Sequence, residues 1–138
     1  LPYAVKNNLC VLAYGPLCRG LLSGRMTVDR KFEGDDLRKS DPNFQQPRFG
    51  QYLKAVDDLK AIADKHGKSM LALAIRWVLD RGPTIALWGA RKPEQITGVD
   101  EAFGWTLDEA DMKAIDVILT RDISDPVGPE FMAPSARS

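Results

Sequence analysis

Two short apolar runs constrain the fold of this chain more than any other feature. The first covers residues 9–14 and the second covers residues 84–88, and a glycine follows each run. A run this short and without polar interruption is typical of a strand buried in a parallel sheet. Such strands need neighbours on both edges and cover on both faces, so two of them do not form a stable sheet alone. The sequence therefore predicts a piece of a larger α/β protein.

Helical patterns separate and follow these runs. Apolar residues fall at helical spacing over residues 53–63. A second helix is predicted over residues 70–80 with Ser69 as its N-cap, and it should be buried because its surface is apolar almost all round. The capping box Thr-Leu-Asp-Glu at residues 106–109 opens a third helix that ends near Leu119. Strands that alternate with helices indicate a parallel sheet.

The remaining segments carry no sustained period. Residues 15–50 are rich in Gly, Pro and charged residues and predict a long loop, which in a compact domain is usually functional or disordered. The Pro-rich tail over residues 121–138 should be irregular. The first eight residues are typical of the end of a helix that began earlier, and the chain opens without methionine. We therefore expect residues 1–138 to be part of one larger domain.

Composition excludes several classes of protein. The chain has 19 basic and 19 acidic residues, so no net field attracts nucleic acid or a membrane surface. No apolar stretch approaches the roughly 20 residues that span a bilayer. Cys10 and Cys18 do not make a disulfide framework and show no metal-binding spacing. We predict reduced thiols in a cytoplasmic protein, with no bound metal.

The end of the first apolar run carries residues suited to ligand binding. In α/β barrels the chemistry lies at the carboxyl ends of the strands. Tyr14 would offer a flat ring on which a cofactor ring can stack. Gly15 and Gly20 allow the backbone to approach a bulky ligand, and their N–H groups can bind phosphate, with charge added by Arg19 and Arg25. The alternative is a plain turn from strand to loop.

The end of the second run has a similar composition. Gly89 is followed by Arg91 and Lys92, and then Pro93 and Glu94 enter a helical turn. Free N–H groups at a helix start favour an anion, and a guanidinium can bind it in a bidentate manner. This pattern indicates a phosphate site. The alternative, of equal weight, is a solvated Arg-Lys pair beside an ordinary turn.

Taken together, the motifs resemble those of the aldo-keto reductase family. The two that carry the resemblance are Ala-Tyr-Gly-Pro-Leu-x-x-Gly-Leu-Leu-x-Gly-Arg at residues 13–25 and Trp-Gly-Ala-Arg-x-Pro-Glu-Gln-Ile at residues 88–96. The helical segments 71–79 and 107–116 are also similar to helices of that family. The resemblance implies a (β/α)8 TIM barrel, of which this chain supplies the last two strands and their helices.

The resemblance also implies NADP as the cofactor. Tyr14 would stack on the nicotinamide ring, and residues 21–50 would fold over the cofactor as a belt, with Arg38 as a phosphate contact. Arg91 would bind the 2′-phosphate that marks NADP. The other residues of the implied site are Gly15, Pro16, Leu17, Gly20 and Arg25 along the ribose and pyrophosphate, and Gly89, Ala90 and Gln95 at the adenosine end.

The family's catalytic aspartate, tyrosine, lysine and histidine lie on earlier strands, so we expect no catalytic residue here. His66, the one histidine, is assigned a structural role at a helix end. The resemblance implies a parent enzyme that reduces aldehydes or ketones with NADPH, while the isolated chain is inactive. The alternatives are a non-enzymatic NADP-binding subunit or sensor, and another phosphate-binding barrel enzyme. Partners would be a small carbonyl substrate and, through unpaired strands, a second copy.

Overall fold

The computed structural model describes residues 1–90, 92–128 and 131. These residues contain two strands, four α-helices and several short 3-10 turns. In chain order the regular elements are α1 (Pro2–Lys6), β1 (Val11–Tyr14), α2 (Arg48–Lys65), α3 (Met70–Leu79), β2 (Thr84–Leu87) and α4 (Glu109–Asp122). The 3-10 turns are Cys18–Ser23, Leu37–Lys39, Pro42–Phe44, Pro93–Gln95 and Val99–Ala102.

The two strands pair in parallel, as predicted. The register places Val11 opposite Thr84 and Tyr14 opposite Leu87, so both carboxyl ends meet at one edge. β1 starts two residues later than the predicted run. Asn8 has a left-handed backbone (φ 53°), and the Leu9 amide donates to the Ala4 carbonyl at 2.9 Å. The chain therefore turns out of α1 before it can pair with β2.

The helices form a layer on one face of this sheet. Residues from α2, α3 and α4 make one apolar core that includes Leu59, Ala63, Leu73 and Ile115. The buried residues of α3 are Met70 and residues 72–75. Leu71 lines the cleft described below, and the last residues, 77–79, are half-buried. The prediction that α3 is buried on all sides is therefore only partly correct.

The predicted start of α4 is wrong by two residues. Its N-cap is Asp108, whose Oδ1 accepts from the Asp111 amide at 2.8 Å, and not Thr106. The reason lies outside the local sequence. The amide of Leu107 donates to Asp80 Oδ2 at 2.9 Å, and the Leu107 side chain is buried, so this residue is held in the connection before the helix. Ser69, by contrast, caps α3 as predicted, with Oγ accepting from the Ala72 amide.

Two predicted segment boundaries also change. The loop expected over 21–50 ends earlier, because α2 begins at Arg48. An aromatic cluster organises the loop: the Phe32 and Phe44 rings lie 5.2 Å apart, and Phe44 also contacts Phe49. The tail predicted from residue 121 begins later, since α4 runs to Asp122. Ion pairs to α2 hold this last turn of α4 in helical form.

Helices of membrane-spanning length and apolarity are not found among the described residues. Nor does that part of the chain bring together a group of His, Cys, Asp and Glu side chains that could hold a metal ion.

Candidate functional site

A cleft of about 630 Å³ lies at the carboxyl ends of β1 and β2. The parallel register brings both strand ends to it, and the Gly15 amide donates to the Leu87 carbonyl at 3.1 Å across them. Eight of the eleven predicted site residues line this cleft. They are Tyr14, Gly15, Leu17, Gly20, Arg25, Arg38, Gly89 and Gln95.

The other three predicted residues are placed differently. Pro16 is buried behind the cleft wall, and Ala90 is exposed next to Gly89 without lining the cleft. Arg91 lies outside the described residues. Its contact with a 2′-phosphate therefore stays a prediction.

Tyr14 and the glycines give the cleft an open, flat entrance. The Tyr14 side chain is 81% exposed at the end of β1. A Cβ atom added at Gly15 or Gly89 would meet no other atom within 4 Å, so both positions leave room for a ligand. Gly15 also has φ +75°, which disfavours any other residue there. The arrangement suits an aromatic ring that lies on Tyr14 while its substituents pass over the glycines.

The wall after Gly15 has an unusual backbone. Cys18, Arg19 and Gly20 all have positive φ, at 46°, 54° and 95°. Non-glycine residues seldom adopt this region, and each such residue costs on the order of 1 kcal/mol or more. The turn is held by the Cys18 amide donating to Gly15 O and the Gly20 amide donating to Leu17 O, both at 2.9 Å.

Four arginines line the cleft, and they form two pairs with different surroundings. Arg19 binds the buried carboxylate of Asp41 at 2.9 Å. Arg38 donates to both oxygens of Asp36, at 2.9 and 2.6 Å, and this hydrogen bonding holds the pKa of Arg38 above its ordinary value. The Arg25 and Arg30 side chains are exposed, and neither forms an ion pair within the described part of the chain. These two arginines bring uncompensated positive charge to the cleft.

Several residues of the cleft were not identified from the sequence. Arg30 and Asp41 lie in the aperiodic loop, and Trp88 forms part of the apolar lining. The Trp88 indole Nε1 is shielded from solvent and has no hydrogen-bond partner among the described residues. The basic character of the loop could have suggested Arg30. No local signal marks Asp41, because its partner Arg19 lies 22 positions earlier in the chain.

Groups for proton transfer are scarce in this cleft. Among the described residues that line it there is no histidine or lysine, and Tyr14 is the one tyrosine. His66 lies elsewhere, at the end of α2, where Nε2 is 2.7 Å from Asp111 Oδ2 and the ring lies 4.9 Å from that of Trp105. His66 thus lies at a helix end, as predicted, and its structural role there stays a prediction.

Comparisons with known proteins agree on one family. A sequence model described as the Aldo/keto reductase family matches residues 1–120. The chain is 58% identical to the aldo-keto reductase YhdN of Bacillus subtilis over 139 residues, which cover 99% of the chain and 42% of that relative. It is 31% identical over 137 residues to an NAD(P)H-dependent D-xylose reductase of Aspergillus niger, covering 96% of the chain and 36% of that protein.

A solved structure gives the same result at the level of the fold. The glycerol dehydrogenase from Gluconobacter oxydans superimposes with a TM-score of 0.86 at 57% identity, covering 96% of this chain and 41% of that one. The chain therefore spans less than half the length of the relatives that it matches.

Proposed function

The chain belongs to the aldo/keto reductase family, and from this membership we propose that it supplies the cofactor-binding part of an NADP-dependent carbonyl reductase. Its fold is part of the TIM barrel of that family, with two parallel strands and their helices. The whole protein would reduce aldehydes or ketones to alcohols. When bound, NADPH would be the source of the hydride.

One observation carries the proposal. The cleft at the strand ends combines an exposed aromatic ring, open glycine positions and two arginines that form no ion pair within the described residues. The Tyr14 ring would hold one face of the nicotinamide and leave the other free for the substrate. Arg25 and Arg30 would bind the pyrophosphate, since guanidinium groups make strong charge-assisted hydrogen bonds with phosphate. Gly89, Arg91 and Gln95 would hold the adenosine end.

The choice between NADP and NAD rests on Arg91. The relative from Aspergillus niger is named for NAD(P)H, so family membership alone does not fix the cofactor. An arginine two residues after the glycine of the second strand end supports NADP, because a guanidinium can bind the 2′-phosphate. Arg38 would reach phosphate only in competition with Asp36, which already occupies its Nε and Nη2 atoms.

A second candidate is a non-enzymatic NADP-binding subunit or sensor. The described lining of the cleft contains no lysine or histidine for acid catalysis, and this is compatible with either candidate, because the resemblance places those groups on earlier strands. Both candidates are compatible with the free thiols Cys10 and Cys18, which support a cytoplasmic location. Both also leave Leu12 and Ile85 exposed on the sheet, and this apolar surface supports self-association of the chain.

The cofactor proposal is tested by titrating the full chain with NADPH and NADH and following nicotinamide fluorescence. Arg91→Ala should weaken NADPH binding by about 10- to 100-fold, the value of a hydrogen-bonded charge pair, and should leave NADH within about twofold. Lys113→Ala is the matched control, because it removes one positive charge from an exposed position on α4. Equal weakening of NADPH and NADH would argue against the 2′-phosphate contact.

Turnover separates the two candidate functions. The full chain should show no NADPH-linked reduction of a simple aldehyde, because the resemblance places the catalytic acid on strands upstream of residue 1. A hybrid in which this chain replaces the matching stretch of the Bacillus relative should reduce the aldehyde. A folded hybrid that binds NADPH without turnover would favour the sensor, and turnover by the full chain alone would contradict the assignment of catalysis to upstream residues.

A further inference from the structure

We infer that Glu101 is a positioning residue, which ties the segment 92–102 to the start of α3 and thereby holds Gln95 at the adenosine end of the cleft. The inference rests on the proposed function, since it concerns the part of the cleft assigned to adenosine. Glu101 is not among the described residues that line the cleft, so it would act through Gln95 and not by touching the cofactor.

The local sequence supplies only one half of the cap of α3. Ser69 Oγ accepts from the Ala72 amide at 3.2 Å, which is the first half of a capping box. In the second half, a Glu or Gln side chain at the position of Ala72 would accept from the amide of the N-cap residue. The alanine side chain has no acceptor. The Ser69 amide therefore depends on an acceptor from another part of the chain.

Glu101 supplies this acceptor across 32 positions of the chain. Its Oε2 accepts from the Ser69 amide at 3.0 Å. Hydrogen bonds from Ser69, from its side chain first and then from its amide, hold the pKa of Glu101 below its ordinary value. The carboxylate is thus charged at neutral pH, and a negative charge at a helix start is favourable. One contact therefore completes the cap of α3 and fixes the position of residue 101.

Two further hydrogen bonds fix the same end of the segment. Trp105 Nε1 donates to the Glu101 carbonyl at 2.7 Å, and Arg76 Nη1 donates to the Ala102 carbonyl at 3.3 Å. The Ala102 side chain is fully buried. Residues 92–97, by contrast, are all exposed. The segment is therefore held at its far end, while the part that reaches the cleft lies open to solvent.

Backbone hydrogen bonds connect the held end to Gln95. The Glu101 amide donates to the Gly98 carbonyl, and the Val99 amide donates to the Ile96 carbonyl, both at 3.2 Å. Ile96 directly follows Gln95 in the chain. A displacement of residue 101 would therefore pass through two successive turns to Gln95.

The contact between Ser69 and Glu101 also joins two parts of the cleft wall. Leu71, two residues after Ser69, lines the cleft, and so does Gln95. Without the contact, the adenosine side of the cleft would lose its fixed position relative to α3. Part of the segment would then have to be ordered when the ligand binds, which costs affinity. This cost would fall on the adenosine half of the cofactor alone.

The two halves of the cofactor provide the test. The full chain and the hybrid with the Bacillus relative are titrated with 2′,5′-ADP by calorimetry and with reduced nicotinamide mononucleotide by fluorescence. Glu101→Ala should weaken 2′,5′-ADP binding by about three- to tenfold and leave the mononucleotide within about twofold. Glu101→Gln keeps an oxygen that can accept from the Ser69 amide, so it should recover most of the affinity for 2′,5′-ADP.

Asp108→Ala is the matched control. It removes the carboxylate that caps α4, whose Oδ1 accepts from the Asp111 amide at 2.8 Å. Both alanine variants should lower the thermal midpoint, because each removes a helix cap. Only Glu101→Ala should weaken 2′,5′-ADP binding. Equal losses of both ligands in Glu101→Ala, or a comparable loss of 2′,5′-ADP binding in Asp108→Ala, would indicate a general loss of structure and overturn the inference.

A double-mutant cycle tests the route through Gln95. Gln95→Ala should itself weaken 2′,5′-ADP binding, and Glu101→Ala should add little in that background, because both changes affect the same contact. Fully additive effects would contradict the route. If Glu101→Ala does not fold, as judged by circular dichroism, Trp105→Phe carries the same comparison, because it removes the donor to the Glu101 carbonyl and keeps an aromatic ring.

The outcomes separate this inference from the proposed function. If neither the full chain nor the hybrid binds NADPH, the proposed function falls and the inference falls with it. If NADPH binds but Glu101→Ala leaves the affinity for 2′,5′-ADP unchanged, only the inference is overturned. A selective, non-additive loss of 2′,5′-ADP binding supports both.

Discussion

The two faces of the sheet differ in how completely they are covered. On the helical side, Leu73 and Ile75 of α3 are 1% and 2% exposed. On the opposite side, Leu12 and Tyr14 of β1 are 61% and 81% exposed, and Ile85 of β2 is 48% exposed. Apolar side chains of the helical layer and of the open sheet face therefore lie in very different surroundings.

Because of this difference, we expect the helical side to determine stability and the open face to determine binding. The helical layer combines the apolar core with ion pairs that join α2 to α4, and its contacts lie within the described chain. The open face leads directly into the cleft, through Tyr14 and Leu87. Contiguous apolar surface of this kind usually marks an interaction site. Substitutions on the helical side should thus change unfolding, whereas those on the open face should change what the chain binds.

The largest expected effect contrasts two leucines. Leu73→Ala should lower the free energy of unfolding by about 2 to 5 kcal/mol, because it leaves a cavity in the helical core. Leu12→Ala should change it by less than about 0.5 kcal/mol, because the side chain already contacts solvent. Urea unfolding followed by circular dichroism measures both. A loss at Leu12 as large as that at Leu73 would break the comparison and show that the open face is covered in solution.

A smaller effect, present at neutral pH and lost at acid pH, concerns the carboxylate between α2 and α4. Asp122 is buried and accepts from Arg121 Nε and from Lys54 Nζ, each at 2.8 Å. These hydrogen bonds, Arg121 first, hold the pKa of Asp122 well below its ordinary value. The pKa of an Asp carboxyl in the unfolded chain is about 3.9. The stabilisation by Asp122 is therefore complete above about pH 5 and is lost as the pH falls towards the pKa of the folded state.

Asp122→Asn should therefore lower the urea midpoint at pH 7, and its difference from wild type should shrink as the pH falls below about 5. Asp57→Asn provides the matched control. Its side chain is 70% exposed and pairs only with Lys60 in the described ion pairs, so the midpoint should hardly move at either pH. A constant difference between Asp122→Asn and wild type from pH 7 to pH 3 would contradict the assigned titration.

The sequence was sufficient where local pattern decides structure. Helical spacing identified α2 and α3, and the two apolar runs identified both strands and their parallel pairing. Boundaries failed where a distant residue decides. The start of α4 depends on Asp80, which holds the Leu107 amide across 27 positions, and the last turn of α4 depends on Lys54 of α2.

The same contrast between local pattern and distant contacts applies to the residues of the candidate site. Tyr14, Gly15 and Gly89 could be predicted because a strand end and its glycines are adjacent in sequence. Asp41 could not, because only the folded loop brings it to Arg19. The sequence also could not distinguish the arginines that pair with acidic residues from those that form no ion pair among the described residues, since that distinction depends on side-chain contacts.

The smallest expected effect lies on the open face and concerns the ring that ends β1. Tyr14→Phe keeps the aromatic surface and should bind NADPH within about twofold of wild type, whereas Tyr14→Ala should bind it about two- to tenfold more weakly, since aromatic stacking contributes about 0.5 to 1.5 kcal/mol. Neither change should alter unfolding much, because the side chain is 81% exposed. Fluorescence titration and urea unfolding of the same samples decide the matter. If Tyr14→Ala lowered the free energy of unfolding as much as Leu73→Ala does, the Tyr14 ring would belong to an apolar core and not to a binding surface. The open face would then contribute to stability at the residue that joins it to the cleft, and the contrast between the two faces would not hold.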